Sequence, residues 1–306
     1  MNKSRRFQTT YDVKVPDFPK SAKTINLWIP FPRATSDQDI HAIDVQTNID
    51  YRIEYEATYG NAVLCANLDT EKVDNIDLVI TTTATRHERT TDFNRFSEIT
   101  HSGWQFHHQP QLQPNKLIQF TADILGIARN IKEQHSNTFD IAKAAYDHVL
   151  EHMQYDKSGD GWGNGDAEFA CSIGKGNCTD FHSLFLAILR ACGVPGQFKI
   201  GMAFPTGMTQ GDITAFKCGY HCWTSFYVHG IGWVPADCSE AAQKTDLRDY
   251  YFGSIDENRF LLSYGRDLIL PGRTVDDPLN FFTDPVIETD SGRAVYFEKK
   301  LSFTDI

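Results

Sequence analysis

No run in this 306-residue chain approaches the ~18–20 consecutive apolar residues of a membrane-spanning helix. Positive charge is also scarce: 29 Lys and Arg stand against 40 Asp and Glu, a formal net charge of −11. That balance argues against nucleic acid or anionic lipid as a partner, since both call for a basic face. The first residues, MNKSRRFQTTYDVKV, are partly basic but hold no apolar stretch of the kind a secretory leader needs. The reading is cytoplasmic, or exported if a leader precedes Met1. CxxC is absent, and seven cysteines (Cys65, Cys171, Cys178, Cys192, Cys218, Cys222 and Cys238) are odd in number and irregularly spaced. They make neither a disulfide framework nor a zinc-finger pattern. Cys171, Cys218, Cys222 and Cys238 could share a metal, but the expectation is no metal or cofactor and mostly small, buried thiols. There is no internal repeat and no low-complexity tract, and nothing in the sequence sets the oligomeric state.

What is present is a globular composition, 41% hydrophobic and 23% charged, on a chain long enough for a sizeable core. Residues 8 to about 100 read as strands: YDVKV, KTINLWIP, DVQTNIDYRIEYEA, NAVLCANLD and NIDLVITTTATRHE, with turn residues between them. No helical period interrupts them, so an all-β, sandwich-like module spanning 1–110 is expected. The stretch THSGWQFHHQPQLQPNK reads as a connector, whose His101, His107 and His108 are more simply solvated than metal-binding. A helix is expected from TFDIAKAAYDHVLEHM, capped by Thr138. A glycine-rich loop of about twenty residues follows.

The loop delivers Cys178 to the start of a second helix, CTDFHSLFLAILRA, with Asn177 as its cap and Asp180 in its first turn. Phe181, Leu184, Phe185, Ile188, Leu189 and Cys192 fall at the spacing of a buried face. A thiol at a helix start faces unpaired N–H groups and the positive end of the dipole, which favour thiolate, the nucleophilic form. The bare Gly174 and Gly176 would let another backbone approach it. A thiol nucleophile needs a base and the base an orienting group. Two strands, GYHCWTSFYV and GWVPADCS, offer His221 and Asp237, with Asp212 or Glu240 as substitutes for the acid. Parity decides: a three-residue turn at His229-Gly230-Ile231 pairs position i with 460 − i and puts Asp237 on His221's face. A two-residue turn throws it to the other. Beyond these strands, RFLLSYGRDLILPG and DPVIETDSGRAVYFEKKLSF read as further strands and a terminal hairpin.

Together, Gly176-Asn177-Cys178-Thr179-Asp180-Phe181, Leu189-Arg190-Ala191-Cys192-Gly193-Val194-Pro195, His221-Cys222-Trp223 and Gly232-Trp233-Val234-Pro235-Ala236-Asp237 resemble the core of the transglutaminase-like superfamily. Tyr250-Tyr251-Phe252-Gly253 and Gly265-Arg266-Asp267-Leu268 resemble the downstream part of a bacterial subgroup. The resemblance implies an α+β, papain-like core over 111–306, a Cys-bearing helix packed on an antiparallel sheet that carries His and Asp. It implies Cys178 as nucleophile, His221 as base and Asp237 as its orienting acid. It also suggests Trp162 as a second oxyanion donor, with Gln154 its competitor. From the residues themselves, Trp162, Trp223, Tyr227 and Trp233 could wall a cleft for a peptide side chain, although aromatic strand residues are more often core. The implied activity is thiol-dependent acyl transfer on amide bonds of a peptide or protein substrate. Hydrolysis is favoured, transfer to an amine (a transglutaminase) is the alternative, and an idle binding module is the third reading. No clustered acidic loop for calcium is seen.

Overall fold

The computed structural model describes residues 3–93, 104–212, 220–274 and 277–306; His101, the side chain of His107, and Cys218 lie outside that description. The strands begin β1 (Ser4–Val15), β2 (Thr24–Pro30), β3 (Gln38–Thr47), β4 (Arg52–Tyr55), β5 (Ala62–Asp69) and β6 (Ile76–His87). Shorter ones follow: β7 (Arg89–Thr90), β8 (Gln154–Tyr155) and β9 (Lys175–Gly176). Next come β10 (Gly196–Ala203), β11 (Gln210–Asp212), β12 (His221–Val228) and β13 (Gly232–Ala236). The last are β14 (Ser254–Ile255), β15 (Arg259–Tyr264), β16 (Val286–Thr289) and β17 (Glu298–Asp305). The α-helices are α1 (Ala122–Gln134), α2 (Thr138–His152), α3 (Ala167–Ile173), α4 (Cys178–Ala191) and α5 (Cys238–Gln243).

The chain forms two compact units, neither continuous in sequence: one of Met1–Glu88, Ile200–His221 and Asp256–Ile306, the other of Arg89–Lys199 and Cys222–Ile255. A linear division at residue 110 does not anticipate this interleaving. The first unit holds two antiparallel sheets, in the orders β11-β17-β1-β6-β3 and β16-β2-β5-β4. IDLVITTTATRH in β6 alternates buried and open positions throughout, the period of a sheet with one covered face. Phe7, Val13, Leu27, Ile29, Leu64 and Leu78 from both sheets meet in one core, so the β-rich sandwich expected of the N-terminal strands is present. The terminal hairpin is present in part. The chain turns back after β16, with an antiparallel bridge between Glu288 and Ala294. The Thr289 and Val295 N–H groups donate to the Arg293 and Ile287 carbonyls. But β17 is not the partner of β16. β16 pairs with β2 and β17 with β1, in different sheets. Local alternation identifies a strand but carries no information about a partner some 280 residues away.

In the second unit α4 packs against α1, α2, α3 and α5. Every residue from Cys178 to Arg190 is buried, so the helix has no solvated face, although its spacing suggested one. Its polar side chains must therefore be satisfied internally. The Arg190 guanidinium donates to the carbonyls of Gly196 and Gln113 and to Asn115 Oδ1. α2 begins one residue off expectation, because Asn137 rather than Thr138 accepts the Asp140 N–H as cap. α1 and α5 were not anticipated, and α3 occupies part of the presumed glycine loop. Phe252 packs on Phe226, Tyr146 and Phe139, with ring centroids 5.3, 5.1 and 5.5 Å away. That anchors the segment whose Tyr251 carbonyl accepts the Asp237 N–H at 3.0 Å.

Candidate active site

The start of α4 is built around one buried carboxylate. Asp180 Oδ2 accepts the Asn177 N–H at 2.9 Å, closing a capping box, and the Gly163 N–H at 2.7 Å. Its Oδ1 accepts the Gly165 N–H at 3.0 Å. Thr179 Oγ1 donates to the Gly163 carbonyl at 3.1 Å, so the same loop is held twice. Gly163 and Gly165 take φ of 89° and 65°, a region that favours glycine. A Cβ on Gly176 would lie 2.4 Å from Asp180 Oδ2. The bareness before Cys178 is thus used by Asp180 itself, and the expectation that Gly176 is bare to admit a foreign backbone is replaced by this internal one. Gly174, at φ 70°, serves as the left-handed cap of α3. Burial pushes the Asp180 carboxyl above the ordinary carboxylate value, against the opposing pull of three backbone N–H donors.

Cys178 is the first residue of α4 and is 2% exposed. Four other cysteines are held as thiols by their surroundings. Burial pushes Cys65 and Cys192 up to about 11, raises Cys171, and raises Cys238 well above the ordinary value. The Cys222 sulfur lies 3.3 Å from His182 Nδ1. Among the described residues no group of three or more His, Cys, Asp or Glu is placed to hold a metal.

The strand pair has the odd turn that the chemistry demands. β12 and β13 run Thr224↔Ala236, Ser225↔Pro235, Phe226↔Val234, Tyr227↔Trp233 and Val228↔Gly232, and each pair sums to 460. Carried one step further, this register sets Asp237 opposite Trp223, with the parity of His221. His221 opens β12 and is 8% exposed, while Asp237 is fully buried. Asp237 also caps α5: its Oδ1 accepts the Glu240 N–H at 2.9 Å and the Ser239 hydroxyl at 3.0 Å. The substitutes for Asp237 are placed otherwise. Asp212 lies on β11 in the sandwich, 3.7 Å from Lys300, and Glu240 of α5 pairs with Lys244, the residue that follows the helix.

The remaining candidates separate. Trp162 is half-buried and its indole N–H donates to the Gly159 carbonyl at 3.0 Å, inside its own loop. Gln154 is exposed on β8, opposite Lys175 of the approach to Cys178. Trp223 is 0% exposed and belongs to the core, which removes it as a cleft wall. Tyr227 and Trp233 are half-buried and share an aromatic cluster with His108. Sequence reasoning missed His182, whose Nε2 accepts the Cys238 N–H at 3.1 Å and lies 3.3 Å from Asp237 Oδ1. Its position, one helical turn after Cys178, was the available signal.

Residues 126–238, which include Cys178, His221 and Asp237, match the family model of the transglutaminase-like superfamily. Over those residues the chain is similar to transglutaminase-like domains. A Haemophilus influenzae protein of uncharacterized function is 26% identical over 96% of this chain and 88% of its own. A candidate cysteine protease from Cytophaga hutchinsonii, of known crystal structure, superposes with a TM-score of 0.59 at 17% identity, over 99% of this chain and 98% of that one. That likeness establishes a shared fold. The periplasmic domain of TgpA from Pseudomonas aeruginosa matches at 12% identity over 78% of this chain and 89% of that one, with a TM-score of 0.39. Among the described residues no helix is long and apolar enough to cross a membrane.

Two outcomes are expected around α4. Asp180→Ala leaves three backbone N–H groups without their acceptor and costs about 3 kcal/mol, read from the urea midpoint; an unchanged midpoint contradicts the assignment. Cys192 keeps its proton to about 11 when folded but only to about 9 unfolded. Its contribution to stability is therefore complete below pH 9 and is lost as pH rises toward 11, at about 1.4 kcal/mol per pH unit. Cys192→Ala flattens that limb of the stability curve by one such increment, and superimposable slopes would contradict it.

Proposed function

We propose that this chain is a thiol-dependent enzyme that cleaves amide bonds of peptides or proteins, with water as the acyl acceptor. The observation that carries this reading is the β12–β13 register, which gives Asp237 the parity it needs to orient His221. The α4 start supplies the other half, a cysteine at a helix N-terminus where oriented N–H groups favour thiolate.

In the proposed reaction His221 takes the Cys178 proton and the sulfur attacks the amide carbonyl carbon. A C–S bond forms and the carbonyl π pair moves to oxygen. The Cys178 backbone N–H is one donor to that oxyanion. Gln154 is assigned as the second, in place of Trp162, because the indole N–H is already engaged by Gly159. Collapse breaks the C–N bond, and the imidazolium of His221 gives its proton to the departing amine. Water then attacks the thioester, His221 takes its proton, and the C–S bond breaks to return the thiolate. Asp237 Oδ1 is occupied by the Ser239 hydroxyl and Glu240 N–H, so Oδ2 is the oxygen assigned to His221. Hydrolysis is preferred to transfer because water needs no acceptor site of its own. The name of the Cytophaga hutchinsonii protein agrees with that direction.

The test is a glutamine-containing peptide mixture incubated with and without a primary alkylamine, with new peptide termini, ammonia and incorporated amine all measured. New termini or ammonia are expected in the absence of amine. Activity should vanish in Cys178→Ala, and fall about 10²–10⁴-fold in Asp237→Asn and about 10²-fold in Gln154→Ala. Turnover that survives Cys178→Ala overturns the nucleophile, and amine incorporation that outruns hydrolysis assigns the acyl group to an amine instead.

A further inference from the structure

His182 is fully buried on α4, one turn beyond Cys178, and takes no part in the steps above. Both of its ring nitrogens are engaged. Nε2 accepts the Cys238 N–H at 3.1 Å, so the hydrogen of the neutral ring sits on Nδ1, which donates to the Cys222 sulfur at 3.3 Å. These contacts tie α4 to β12 through Cys222 and to the first residue of α5 through Cys238. Cys222 directly follows His221, and Cys238 directly follows Asp237. The same Nε2 lies 3.3 Å from Asp237 Oδ1. A neutral imidazole whose Nε2 accepts the Cys238 N–H has no hydrogen to give that oxygen. Oδ1 is therefore left to the Ser239 hydroxyl and Glu240 N–H.

We propose that His182 is a positioning residue for the triad: a second, non-catalytic histidine that pins the residues next to His221 and Asp237 and so fixes the carboxylate behind the base. This rests on the reading of His221 and Asp237 given above. Burial makes the geometry consequential. His182, Cys238 and Asp237 are all fully buried, so a backbone N–H that loses its acceptor there is costly to leave unpaired, and the α5 start must shift to find another. Because α5 is capped by the Asp237 carboxylate itself, a shift there moves the acid.

The tests use the full chain and the peptide assay. His182→Gln places an amide oxygen near the Nε2 position and keeps an acceptor for Cys238. His182→Asn keeps a group near Nδ1 only, and His182→Leu keeps neither. The expected result is a kcat loss of about 10²-fold in His182→Leu with KM changed less than about threefold, and recovery of most of that loss in His182→Gln but not in His182→Asn. In an Asp237→Asn background, His182→Leu should cost little more, since it acts through Asp237. An unchanged kcat in folded His182→Leu overturns the proposal, as does full additivity with Asp237→Asn. Should His182→Leu fail to fold, equal activity of His182→Gln and His182→Asn overturns it. If Cys178→Ala remains active, it is the triad reading that falls. If Cys178 and Asp237 are essential but His182 is dispensable, this inference alone fails.

Discussion

A carboxylate buried at the first turn of a helix must be given donors, and meeting that demand at Asp180 organises the rest of the site. Its two oxygens collect N–H groups from Gly163, Gly165 and Asn177. The loop before the helix and the helix start are thereby closed onto each other. Gly176 is bare because Asp180 occupies the space a side chain would take. Gly163 and Gly165 present those N–H groups from left-handed conformations, a region that favours glycine. Cys178 inherits its place from this arrangement, between the Asn177 cap and the clasped carboxylate.

The same principle runs the length of α4. A helix enclosed on every side can keep polar residues only where each finds a partner, and each of those partners is a structural link. Arg190 ties the far end to the first residue of β10 and to the segment ahead of α1. His182 ties the middle to the residues beside the proposed base and acid. The helix acts as the frame on which the candidate nucleophile, base and acid are indexed, and its buried polar residues are the pegs.

Much of this was legible in the sequence where the controlling physics is local. Asn177 and Asp180 read as a capping box because cap chemistry depends on four successive residues. The side on which Asp237 falls followed from parity once the turn was three residues long, since a strand alternates with a period of two. Other parts were not legible. α3 is seven residues long and lies among glycines, too short to show a period. α5 is shorter still, so Asp237 could not be seen to cap a helix. The return of β16 and β17 to strands at the other end of the chain leaves no trace in local pattern. The sequence puts His182 on the same side of the helix as Cys178, but its partners were not legible, because Cys222 and Cys238 lie forty and more positions away.

The central claim is that Cys178 is a thiol activated by His221, and the rate of its alkylation by iodoacetamide as a function of pH tests it most directly. The account predicts rapid modification of Cys178 near pH 6, while Cys65 and Cys192 stay unmodified until the pH approaches the value of about 11 to which burial has pushed them. It also predicts that the Cys178 rate at pH 6 collapses in His221→Ala. A Cys178 that labels no faster than Cys192, or whose profile is indifferent to His221, would contradict it.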